Sequence, residues 1–188
     1  MTPGFAFFDT PIGRCAIIWR GAFVIGCGLP EVEDESLRAS IARRFPDAVE
    51  QPPGPAEQAA IGAAVRLLSG EKEDFADVAI DLSSLGEFER AVLAATSAIP
   101  LGETRTYGEL AEAVGKPGAA RAVGRALGSN PVPIIVPCHR VLGSGGKAGG
   151  FSAPGGATTK LRILEIERAR RGADPGLFDS LPWQARNR

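Results

Sequence analysis

Cys138, His139 and Arg140 stand side by side in "IIVPCHRV" (134–141), in a chain of 188 residues that holds three cysteines and one histidine. A thiol attacks well only as thiolate, and a free cysteine titrates at about 8.5, so a working nucleophile needs a base or positive surroundings. His139 and Arg140 offer one of each. Pro137 removes a backbone donor and fixes the chain just before Cys138, so the backbone aims the thiol. "NPVP" (130–133) reads as a rigid turn and "IIV" (134–136) as a buried strand. Neighbours on a strand point to opposite faces, so His139 is expected to act on Cys138 through a water or a turn, with an acid elsewhere orienting the imidazole. By itself "PCHR" leaves two readings open, a nucleophile or a buried cysteine beside a structural histidine.

The rest of the inventory narrows the chemistry. A structural zinc takes four Cys or His ligands in close pairs. Cys15 and Cys27 are isolated, and the one imidazole adjoins Cys138, so no metal is expected. Cys15 and Cys27 read as small apolar residues in strands. An odd, sparse set of cysteines suits a reducing, cytoplasmic compartment. No run approaches the roughly 18 apolar residues of a membrane span, and "MTPGFAFFDTPIG" lacks the pattern of a signal peptide. In "GSGGKAGG", Lys147 is followed by Ala148 rather than Ser or Thr, so this is expected to be a turn beside a cleft and not a phosphate loop.

Charge is split along the chain. Residues 1–86 carry seven Lys/Arg and thirteen Asp/Glu, a balance of −6, whereas residues 87–188 carry fourteen and nine, a balance of +5. Such asymmetry suggests a nucleic-acid partner for the second half.

The elements that must hold the site follow from patterning. "FAFFDT", "GRCAIIWR" and "GAFVIGCGL" are apolar runs separated by "PIG" and "RG", as in a meander of strands. Two helices follow, "ESLRASIARRF" with Leu37, Ile41 and Phe45 on one face, and "AEQAAIGAAVRLLSG" with Ile61, Val65 and Leu68 on one face. "PDAVEQPPGPAE" between them reads as a Pro-rich loop, and "GEKEDFADVAIDLSSLG" as a connection. Ser84 with Glu87, and Thr106 with Glu109, both fit a capping box at a helix start. The first such helix, "EFERAVLAATSAI", would turn Phe88, Val92, Ala95 and Ile99 inward. "YGELAEAVG", a glycine-containing turn and "AARAVGRALG" then make a helix-turn-helix pattern. The last helix is thin, with Arg121 and Arg125 as its charged side chains, and can approach a narrow groove closely. The expected architecture is α/β (α+β), with a small strand-and-helix domain over 1–83 and a winged helix-turn-helix-like domain over 84–188. In the tail, "RARR" reads as a basic helix end, and Phe178, Leu181 and Trp183 are expected to dock on the domain surface.

From about residue 84 to 168 the sequence resembles the O6-alkylguanine-DNA alkyltransferases. The segments that carry the resemblance are "IPLGETRTYGELA", "AARAVGRALGSNPVPIIVPCHRV", "GGF" and "TKLRILEIE"; "TPIG" and "LLSGEKEDF" extend it more weakly into the first half. The resemblance implies direct reversal of DNA damage, in which Cys138 takes the alkyl group from O6-alkylguanine, and from O4-alkylthymine, in double-stranded DNA and is consumed. His139 would be its base through a water, Glu167 would orient His139, Asn130 would brace the turn, and Tyr107 would hydrogen-bond or protonate the departing guanine. Arg121 would replace the extruded nucleotide in the stack, with Ala120, Gly124 and Arg125 on the DNA-binding helix. Val141, Phe151 and Ser152 would form the pocket for the flipped base. Phe151 stands where the family often has tyrosine. No cofactor and no membrane partner are implied, and the protein is expected to act as a monomer. Two other classes compete: a non-catalytic DNA-binding protein that senses alkyl damage, which leaves Cys138 without a purpose, and a Cys-His hydrolase, which does not require Arg121 or the thin helix.

Overall fold

The computed structural model describes residues 1–148 and 151–168. The three apolar runs at the start form the expected meander: β1 (Gly4–Thr10), β2 (Gly13–Arg20) and β3 (Phe23–Gly28) pair antiparallel. The turn after β1 needs a residue at positive φ, which Gly13 supplies at 125°. Central strand β2 is buried on both faces, so its period-two pattern is hidden in a continuous apolar run. Cys15, Ile17 and Trp19 face the main core, while Ala16 and Ile18 face a second, smaller cluster with Leu37 and Ile41.

That smaller cluster lies under α1 (Asp34–Arg44), whose Leu37 and Ile41 are buried while Phe45 is half-buried at its end. The Pro-rich loop holds one addition, a two-residue strand β4 (Val49–Glu50) parallel to β1, giving the sheet order β3-β2-β1-β4. Helix α2 (Pro55–Leu68) covers the other sheet face with Ala60, Ala63, Ala64, Leu67 and Leu68, leaving the expected Ile61 and Val65 half-buried. The alanines win that face because small side chains let the helix backbone come close to the sheet. The connection after α2 runs along the sheet edge, where Val24 N–H donates to Ala79 O at 2.9 Å and Asp81 N–H to Val24 O at 3.0 Å.

Helices α3 (Glu87–Ser97), α4 (Tyr107–Ala113) and α5 (Ala120–Gly128) pack on one another, α4 and α5 forming the helix-turn-helix. The capping box at Thr106 is present with both of its hydrogen bonds. The one expected at Ser84 is not: Gly86 is the N-cap, with no side-chain cap. Ser84 lies inside a turn closed by Leu85 N–H to Leu82 O at 3.0 Å, and the helix begins two residues later. On α3, Val92, Leu93 and Thr96 are buried, Ile99 is buried beyond its end, and Phe88 and Ala95 are half-buried. A short parallel pair, β5 (Arg105–Thr106) with β6 (Val141–Leu142), ties the start of α4 to the segment after Cys138. Helix α6 (Gly156–Ile166) ends just before Glu167.

One apolar core runs through both halves, joining Ile17 and Trp19 of the sheet, Leu67 of α2, Val92 of α3, Val123 of α5 and Cys138. No helix among the described residues is long and apolar enough to cross a membrane. The basic end "RARR", beyond Arg168, and the tail residues Phe178, Leu181 and Trp183 lie outside the described residues.

Candidate active site

Residues 134–136 are buried, as their composition demands, but they are not a strand. Val136 N–H donates to Val132 O at 3.0 Å, and Ile134 takes φ 76°, so the chain turns tightly where an extended run was expected. Pro131, Pro133 and Pro137 explain the difference: each lacks an amide donor, so no strand ladder can form across the segment. A β-branched residue in the left-handed region costs about 1–3 kcal/mol and persists only when packing holds it. Burial of Ile134 supplies that packing. The next residues, Cys138–Arg140, form one turn of 3-10 helix. Cys138 and His139 are therefore neighbours on a helical turn, not on opposite faces of a strand.

Asn130 holds this turn and the thiol together. Its Nδ2 donates to Val136 O at 3.0 Å and to Cys138 Sγ at 3.3 Å, while its Oδ1 accepts from Val132 N–H at 3.1 Å. Cys138 is only 7% exposed. Burial pushes its thiol above the ordinary value, and the Asn130 donation and the Lys160 ammonium pull it back. Burial drives the other cysteines up, Cys15 to about 11 and Cys27 to about 12.

His139 is fully buried, and its Nε2 lies 2.8 Å from Glu167 Oε1. Glu167 also accepts from Arg140, Nε to Oε2 and Nη2 to Oε1, both at 2.9 Å. Burial alone would raise this carboxyl, but the charge and hydrogen bond of His139 and those of Arg140 outweigh it and hold the group at about 2. A carboxylate only accepts, which makes Nε2 the donor whether or not the ring is charged and leaves Nδ1 as the nitrogen that takes up or releases the second proton. Nδ1 is buried with no protein partner among the described residues. Arg140 spends its guanidinium on Glu167 and on Ile99 O at 2.7 Å. It is the buckle of the carboxylate and not the thiol's positive neighbour.

That neighbour is Lys160, which sequence reasoning missed. It is fully buried on α6, and Nζ donates to Val141 O at 2.5 Å while lying 5.6 Å from the Tyr107 ring centroid and 5.9 Å from that of Phe151. Burial lowers its pKa to about 8 against the upward pull of Cys138. A signal was available: Lys160 is three and four residues before Ile163 and Leu164, on the buried face of α6.

Above the thiol opens a cavity of 660 Å³ lined by Tyr107, Arg121, Gly124, Cys138, Phe151 and Ser152. Tyr107 is the first residue of α4, set in place by the capping box, with Glu109 N–H to Thr106 Oγ1 at 3.1 Å and Thr106 N–H to Glu109 Oε2 at 2.6 Å. Burial, and then Cys138, raise the Tyr107 hydroxyl, so it stays protonated. On α5, Arg121 and Arg125 are exposed, Ala120 and Gly124 half-buried, and a Cβ on Gly124 would lie 3.8 Å from the Tyr107 ring. Val141 is buried with its carbonyl bound to Lys160, which leaves that oxygen one further lone pair. Phe151 and Ser152 stand on the far wall, and Ser144 of the "GSGG" turn lies on the rim, so that turn is beside the cleft as expected; Gly149 and Gly150 fall outside the described residues. Tyr107, Ala120, Arg121, Gly124, Cys138, Phe151 and Ser152 line this cavity, Asn130, His139, Val141 and Glu167 lie in the network behind it, and Arg125 stands apart, exposed on α5. The arrangement can activate a thiol, hold a flat ring and offer cations to a polyanion.

Residues 87–169 match the family model described as 6-O-methylguanine DNA methyltransferase, DNA binding domain. The chain is 41% identical over 171 residues to the methylated-DNA–protein-cysteine methyltransferase of Mycobacterium tuberculosis, covering 91% of this chain and 96% of the relative. The crystal structure of M. tuberculosis OGT in complex with DNA superimposes with a TM-score of 0.73 at 37% identity, covering 94% of this chain and 99% of that one. The O6-methylguanine-DNA methyltransferase structure from Pyrococcus kodakaraensis gives 0.69 at 26% identity, over 88% and 98%.

Proposed function

Because the chain belongs to the methylated-DNA–protein-cysteine methyltransferase family, it repairs alkylated DNA by moving the alkyl group onto a cysteine, and we propose that Cys138 is the acceptor. The observation that carries the assignment is the linked pair of contacts on this thiol's turn: Asn130 Nδ2 on Cys138 Sγ, and His139 Nε2 on a Glu167 carboxylate. Cys15 meets only the Thr10 hydroxyl at 3.7 Å and Gly13 O at 3.9 Å, and burial holds it and Cys27 at about 11 and about 12.

The chemistry balances with no further reagent. His139 Nδ1, through a water, takes the thiol proton, and Glu167 and Arg140 keep the ring in the required tautomer. Lys160 and Asn130 stabilise the thiolate. The sulfur attacks the alkyl carbon in line, the S–C bond forms as the C–O6 bond breaks, and the purine leaves with the electron pair. Tyr107 hydrogen-bonds or protonates the departing guanine. An S-alkyl cysteine has no carbonyl for water to attack, so one turnover consumes the protein. O4-alkylthymine presents the same kind of bond to the same thiol.

The alkylated oxygen lies inside the duplex, so the nucleotide must leave the stack at a cost of a few kcal/mol. Arg121 fills the gap it leaves. Ala120 and Gly124 let α5 lie close along the groove, Arg125 meets the backbone, and the flipped base is held by Val141, Phe151 and Ser152. The chain is proposed to act as a cytoplasmic monomer, with the strand-and-helix part over 1–83 and the DNA-binding and catalytic part over 84–188.

Mixing the protein with a molar excess of duplex containing O6-methylguanine tests the assignment. Intact-mass spectrometry should show one added methylene per chain, on the peptide containing Cys138, and Cys138→Ala should bind the duplex and add nothing. Repeated turnover, or a label on Cys15 or Cys27, would refute it.

A further inference from the structure

Cys138 lines two cavities at once. One is the cavity beneath α5; the other, of 340 Å³, lies between α5 and the N-terminal helix α1, and Leu127, Gly128, Phe151 and Ser152 form walls of both. Transfer of a methyl group does not require the second space, whose volume falls in the range of roughly 300–1,000 Å³ typical of small-ligand sites. In an in-line displacement the sulfur, the attacked carbon and the leaving oxygen share one axis. Any chain beyond that carbon must project sideways, next to the sulfur.

The far end of this second cavity is built by α1 and the segment before it. Ser40, Arg43, Arg44 and Glu31 line it. Arg44 is committed to two carbonyls, Cys27 O at 3.2 Å and Pro131 O at 3.0 Å. Arg43 is exposed, and its guanidinium makes a long 3.4 Å contact with Ser40 Oγ. Two guanidinium groups against one carboxylate leave this end positive. At the junction with the first cavity stands Gly128, where a Cβ would come within 3.2 Å of Ser152 Oγ.

Building on the alkyl-transfer reading above, we propose that the cavity between α1 and α5 receives alkyl chains longer than methyl as they pass to Cys138, and that Arg43 favours chains with an anionic end. The bonds made and broken are those of methyl transfer; the chain simply remains on Sγ as a longer thioether, lying in this cavity. The N-terminal half thereby becomes a determinant of which lesions are repaired.

The test compares transfer rates from duplexes carrying O6-methyl-, O6-butyl- and O6-(3-carboxypropyl)guanine, read by intact mass. The last two differ only in the charge at the end of a chain of equal length. In the native protein all three groups should transfer. Arg43→Glu should slow carboxypropyl relative to butyl by about fivefold, as expected for reversing an exposed charge, with methyl transfer unchanged. Gly128→Val should slow butyl and carboxypropyl by about tenfold more than methyl, because its side chain closes the junction. An unchanged butyl-to-carboxypropyl ratio in Arg43→Glu would overturn the role of α1. Equal slowing of methyl and butyl in Gly128→Val, or a native protein that transfers methyl but not butyl, would overturn the passage itself. Failure of methyl transfer in the native protein would instead strike the underlying assignment.

Discussion

Glu167 shows how much one carboxylate can do when it is buried among partners. Its pKa of about 2 lies below the unfolded value of about 4.3, so the shift contributes roughly 3 kcal/mol of stability. The sign follows from the depression: this contribution is complete above the unfolded value and fades as pH falls toward the folded one. Glu167→Gln leaves Arg140 buried without its counter-charge. Urea unfolding should therefore show a loss of roughly 3 kcal/mol at about pH 7 that shrinks by about pH 3, together with slower alkyl transfer. A loss of equal size at both pH values would contradict the linkage. Glu167 could not be picked out from local pattern alone, and Lys160 only through its spacing to Ile163 and Leu164 on the buried face of α6. A glutamate at a helix end and a lysine in a helix are solvated by default, and the role of Glu167 came through family resemblance while Lys160 was overlooked.

At the scale of elements, the thin helix α5 and the capped start of α4 do separable work. Arg121 is exposed at the first turn of α5 and reaches the reaction only through the duplex. Arg121→Ala should thus slow repair of O6-methylguanine in duplex by at least about tenfold, while reaction with free O6-benzylguanine stays within about twofold, since only the duplex demands extrusion. Equal losses on both substrates would argue against a stacking role. Thr106→Ala removes one half of the capping box and should cost about 1 kcal/mol of stability, measured by denaturant unfolding. Because Tyr107 is the next residue, the same change should slow transfer as well. The Thr106 box was legible because its two side chains complete each other locally. Ser84 carried the same letters but sat in a preceding turn, and spacing alone does not distinguish the two. Likewise the apolar run 134–136 announced burial correctly, but three prolines, not hydrophobicity, decided that its backbone would turn.

The whole molecule is less divisible than its sequence suggests. The change from −6 to +5 and the loop chemistry near residue 84 mark a division of labour, yet the main core passes through the sheet, α2, α3, α5 and Cys138 without interruption. Periodicity identifies faces, not which faces meet, so this continuity lay beyond the sequence. Trp19, buried in the sheet, and the helical circular-dichroism signal should accordingly report one unfolding transition with a common midpoint. Two separated midpoints would show that the halves melt independently. The burial of Cys138, 7% exposed in a chain whose other two thiols are held far from reactivity, has a last consequence that is informational. Each molecule can be written once, at one address, and nothing in the chemistry erases the mark. A population of these chains is then a tally of the lesions it has met, readable afterwards from the mass of a single peptide.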